Sequence, residues 1–87
     1  MFKGITKIGF EYEINKDTLD DWELFESLND ISNDNPLAII DVAKKILGID
    51  QYKKLKEFIR EKEGKVSMTT MQDTIMEIFN ANQEVKN

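Results

Sequence analysis

The chain has 87 residues, 40% of them hydrophobic and 33% charged, which allows one globular domain with a thin core and excludes both a disordered chain and two domains. It has no cysteine, hence no disulfide framework or thiolate metal site, and no apolar run near the ~18 residues of a membrane span, so the expected setting is a reducing cytoplasm. A net charge of −5 argues against non-specific nucleic-acid binding.

In chain order, the start Met1-Phe2-Lys3-Gly4-Ile5-Thr6-Lys7 lacks the apolar stretch of a signal peptide. Residues 1–16 read as an extended β segment, because Phe10, Tyr12 and Ile14 alternate with Glu11 and Glu13 at the period of a half-buried strand. A short hairpin or a single docked strand fits, with Gly4 and Gly9 allowing a bend. A lone hairpin is marginal in water, so this segment must lean on helices or on another chain.

Residues 18–81 read as a bundle of about four short helices. The first is expected to start with Thr18 as its cap and to place Trp22, Phe25 and Leu28 on one face, widened by Leu24 and Ile31. It ends in the turn formers Ser32-Asn33-Asp34-Asn35. Asn35 as cap and Pro36 at the first helical position open the second helix. That helix is apolar on most sides, through Leu37, Ile39, Ile40, Val42, Ala43, Ile46 and Leu47, which marks it as the most buried one, and Gly48 stops it.

Asp50 is the expected cap of a third helix, with Tyr52, Leu55, Phe58 and Ile59 inward, its bases outward, and Gly64 as its stop. Ser67 or Thr69 opens a fourth, carrying Met68, Met71, Ile75, Ile78 and Phe79 at helical spacing. Residues 82–87 are polar and read as a frayed tail.

Charge is distributed unevenly. From Asp17 to Asn35 there are seven acids (Asp17, Asp20, Asp21, Glu23, Glu26, Asp30, Asp34) and no base, whereas residues 36–63 hold seven bases and five acids. The polarity suggests complementary surfaces within one fold or between copies, beside the plainer reading of solvated helix faces.

Histidine is absent as well as cysteine, which removes the commonest general base near neutral pH and the commonest thiol nucleophile. The acids Asp17, Asp20, Asp21 and Glu23 could hold a divalent ion, but they read better as an acidic helix start, and no metal or other cofactor is expected. Gly4, Gly9, Gly48 and Gly64 form no phosphate-cradling loop. The sequence supports a non-catalytic protein. A helix-turn-helix reading, with the third helix offering Lys53, Lys54, Lys56, Arg60 and Lys62 to DNA, is opposed by Glu57, Glu61 and Glu63 on the same helix.

Apolar side chains suited to a protein partner are Trp22, Phe25, Met71, Met76 and Phe79. Met68 and Met71 share a stripe with Ile75, which favours the core, and Met76 falls off that stripe.

The order of elements carries a resemblance. An extended Phe10-Glu11-Tyr12-Glu13-Ile14 leads into Asp20-Asp21-Trp22-Glu23-Leu24-Phe25-Glu26-Ser27-Leu28; then follow Ile46-Leu47-Gly48, Gln51-Tyr52-Lys53-Lys54-Leu55, Gly64-Lys65-Val66 and Met76-Glu77-Ile78-Phe79. This resembles the small tail assembly chaperones of long-tailed phages and prophages of Gram-positive bacteria, over nearly the whole chain. The resemblance implies a protein of the host bacterial cytoplasm that binds the tape measure protein before the tail tube forms, and that is left out of the virion. It also implies self-association and no catalytic residues. A longer frameshifted form would depart near Lys86. A structural or adaptor module is the remaining alternative.

Overall fold

The computed structural model describes residues 2–33, 35 and 37–82. Two strands, β1 (Phe2–Ile5) and β2 (Glu11–Ile14), form an antiparallel hairpin in which Gly4 faces Tyr12 and Phe2 faces Ile14. The hairpin form is the one adopted, and Thr6 closes its turn. The Thr6 N–H donates to the Phe10 carbonyl (2.9 Å), and its hydroxyl accepts from the Phe10 N–H (3.1 Å). The alternation read from the sequence holds: Phe10, Tyr12 and Ile14 are buried, while Glu11 and Glu13 are exposed.

The first helix departs from expectation at its start. Thr18 lies in a 3₁₀ turn, Lys16–Leu19, capped by Asn15, and α1 (Trp22–Ser32) begins only after Asp21. The Asp21 carboxylate accepts from the N–H groups of Glu23 (2.9 Å) and Leu24 (3.4 Å). A carboxylate both accepts these hydrogen bonds and opposes the positive end of the helix dipole, so it outcompetes a hydroxyl three residues earlier. The face that α1 buries is the one with Leu24 at its centre and Leu28 and Ile31 beside it. Trp22 is left in water.

The largest difference is the helix count. The expected second and third helices run together as α2 (Ala38–Glu63) across a kink at Gly48, where the backbone leaves the helical conformation as the expected stop requires; counted as elements, α1, α2 and α3 are three among the described residues where about four were expected. Gly48 has φ 78° and ψ 162°, a conformation essentially reserved for glycine. A straight helix of these 26 residues would run ~39 Å. The whole molecule measures 37 × 30 × 21 Å, so the break lets both halves lie on one core. No linker intervenes, and the Gln51 side chain spans the break by donating to the Leu47 carbonyl (2.9 Å).

At its far end α2 stops where expected. Gly64 takes the left-handed conformation (φ 82°), and its N–H donates to the Arg60 carbonyl (2.7 Å). Ser67, and not Thr69, caps α3 (Met68–Ala81) by accepting from the Thr70 N–H (3.2 Å). The side-chain cap expected from Asn35 is not found: α2 has Leu37 at its N-cap with no side-chain hydrogen bond, and Asn35 contributes only its carbonyl, which accepts from the Ala38 N–H (3.0 Å). Pro36 and the tail beyond Asn82 lie outside the described residues.

α2 is the element against which α1, α3 and β2 all pack. One cluster joins them, with Ile14, Leu24, Val42, Leu55, Ile59, Ile75 and Ile78 fully buried. The hairpin is thus held by helices of its own chain, as its marginal stability requires. Among the described residues, no helix is long and apolar enough to cross a membrane.

Candidate functional site

The side chains most out of place are large apolar ones left in water, since each costs solvation that burial would recover. Trp22 is 79% exposed, Met68 64%, Ile5 63%, Leu37 62%, Ile49 52%, and Phe25 and Ile40 43% each. Ile5 and Ile49 stand apart, and the others fall into two groups on different elements.

The first group belongs to α1. Trp22 and Phe25, one turn apart, line a shallow hollow together with Glu26, Asn29 and Asp30. Phe25 also turns its ring edge toward Phe79, with centroids 6.0 Å apart. Phe79 itself is buried, so it supports this patch from beneath. Among the described residues lining the hollow, the charged ones, Glu26 and Asp30, are acidic.

The second group frames a groove. Leu37, Ile39, Ile40 and Ala43 from the start of α2, Tyr52 and Lys56 from beyond Gly48, and Met68, Met71 and Ile75 from α3 enclose about 170 Å³. The break at Gly48 brings the two parts of α2 to one side of it, and the cap at Ser67 sets the first turn of α3 along another. Among the described residues lining the groove, Lys56 is the only charged one. Its Nζ lies 5.1 Å from the centre of the Tyr52 ring, and the Lys44 Nζ lies 5.7 Å from the same ring. Specific small-molecule sites run to ~300–1,000 Å³. The groove is below that range, and suits one or two side chains presented by a helix.

Of the residues singled out from sequence, the structure brings Trp22, Phe25 and Phe79 together and sets Met71 in the groove. Met76 sits elsewhere, half-buried near Lys7, Ile8 and Glu77, where the Lys7 N–H donates to the Glu77 carboxylate (2.9 Å). The expected core positions of Met68, Leu37 and Ile40 are not found. The burial of α2 runs through Val42, Ala43, Ile46 and Leu47, and a core this small has no room for every apolar face of that helix. Sequence reading therefore missed Leu37, Ile40 and Met68 as surface residues. The available signal was a helix apolar on most sides in a chain too short to cover it.

Among the described residues, no group of three or more carboxylates is placed to share a metal ion. No protein-family model matches the chain, and neither a curated protein nor a solved structure gives a significant match.

Proposed function

We propose that this chain is a non-catalytic protein-binding module, and specifically a tail assembly chaperone of a long-tailed phage or prophage of a Gram-positive bacterium. It holds the tape measure protein in solution in the host cytoplasm until the tail tube encloses it, and it stays out of the virion. The observation that carries the binding part is the open apolar groove rimmed by Leu37, Ile40 and Met68. A tape measure protein is a long helical chain with apolar stripes, and such a stripe lays its anchors into a groove of this kind. Many weak engagements along one long chain gain by avidity, so no single groove need bind tightly. The phage-tail part is supported by the resemblance in element order.

The rival reading, a DNA-facing helix, has less support. Of the bases on the second part of α2, Arg60 pairs with Glu57, Lys56 lies over Tyr52, and Lys62 lies over Phe58.

The test is co-expression with a candidate tape measure protein. The soluble fraction of that protein should rise, and the rise should vanish with Ile40→Glu, which puts a charge on the groove rim. If solubility is the same with and without this chain, the chaperone reading is wrong.

A further inference from the structure

The chain is acidic overall, at −5, yet the groove between α2 and α3 carries the opposite sign. Lys56 lines its wall, and the ammonium groups of Lys56 and Lys44 converge on one ring, that of Tyr52, at 5.1 and 5.7 Å from its centre. The negative face of the ring accounts for their placement, because it attracts cations. Among the described residues neither lysine has a carboxylate within ion-pairing distance, whereas Arg60, farther along the same helix, pairs with Glu57. Asp41 is exposed on α2 and does not line the groove. The rest of the rim, at Leu37, Ile40 and Met68, is uncharged.

From this we infer that the groove selects its partner by charge as well as by apolarity: it takes an amphipathic helix whose apolar stripe is bordered along one side by Asp or Glu, with those acids facing Lys44 and Lys56. The inference rests on the groove being a helix-binding site, as proposed for the tape measure protein, and adds which kind of helix it takes. The two cations meet at the Tyr52 wall, so the acids belong on one flank of the stripe and stand one turn apart, where helical side chains share a face. A basic flank on the same stripe meets two ammonium groups with no carboxylate to neutralise them, and that repulsion rejects it. Ion pairs at the edge of an interface contribute little each, so the apolar anchors hold the helix and the charges decide which helix is held. The selection runs against net charge, since a chain at −5 attracts a basic helix on overall charge alone.

The test is fluorescence anisotropy of three labelled synthetic helices titrated with the full chain. The helices share one leucine stripe on an alanine-rich background and differ only along one flank, which carries glutamate, glutamine or lysine. Binding at the groove is the part lost when its rim is made polar without added charge, by Ile40→Gln and Met68→Gln together, and only that part is compared. The glutamate helix should bind roughly 3- to 10-fold more tightly than the glutamine helix, the sum of two partly exposed ion pairs, and the lysine helix should bind most weakly. In a Lys44→Gln, Lys56→Gln double variant, which keeps the Tyr52 ring and the apolar rim, the glutamate helix should lose that advantage. Circular dichroism on both double variants confirms that they fold. A lysine or glutamine helix that binds as tightly as the glutamate helix overturns the inference and leaves the groove as a binding site; so does an advantage that survives without the two lysines. If no helix binds at the groove, the helix-binding reading falls together with the inference.

Discussion

Gln51 makes three hydrogen bonds through one side-chain amide, and replacing it tests how the hairpin is tied to the helices. Its Oε1 accepts from the Glu13 N–H (2.8 Å), while its Nε2 donates to the Glu13 carbonyl (2.6 Å) and to the Leu47 carbonyl (2.9 Å). In the β1–β2 register Glu13 turns its backbone groups away from β1, so the amide pairs with the outer edge of β2 as a neighbouring strand would. The same amide spans the break at Gly48. Net contributions run to ~0.5–1.5 kcal/mol per bond, and the two bonds to Glu13 lie where water can replace them. Gln51→Ala should therefore cost about 1–2 kcal/mol, or a Tm lower by roughly 4–16 °C for a chain of this size. Gln51→Glu is the sharper probe. It keeps the acceptor for the Glu13 N–H, but it sets a carboxylate against two carbonyl oxygens and adds a negative charge beside Glu13. Urea unfolding followed by circular dichroism should rank the wild type above Ala and Ala above Glu, with a similar slope for all three. A Glu variant as stable as the Ala variant would show that the donor half of this amide contributes nothing, and the account of the strand edge would fall.

Two further outcomes follow from backbone geometry. Gly48→Ala meets no atom within 4 Å, so its cost is conformational alone, about 1–3 kcal/mol for a side chain held in a glycine-only region, and it is read from the urea midpoint. An unchanged midpoint would mean that the break relaxes without penalty. Asp21→Ala should lose about 1 kcal/mol while Thr18→Ala stays within about 0.5 kcal/mol of wild type, because the carboxylate caps α1 and the hydroxyl does not. The reverse ranking would restore the helix start expected from sequence.

Periodicity and punctuation are what the amino-acid sequence determined by itself. The alternation over Phe10–Ile14 placed three side chains in the core, because a strand's faces are fixed by its period alone. Gly64 and Ser67 marked helix ends, because a left-handed stop and a hydroxyl cap act within one turn of the chain. Tertiary packing decided the rest. Whether Gly48 separates two helices or bends one depends on how both halves meet the same core, and that competition is not local. Which apolar face of α2 is covered depends on where α1 and α3 land, and the sequence of α2 is apolar enough to permit several answers. The exposed Leu37, Ile40 and Met68, and with them the groove, exist because the core of an 87-residue chain fills before its apolar residues run out.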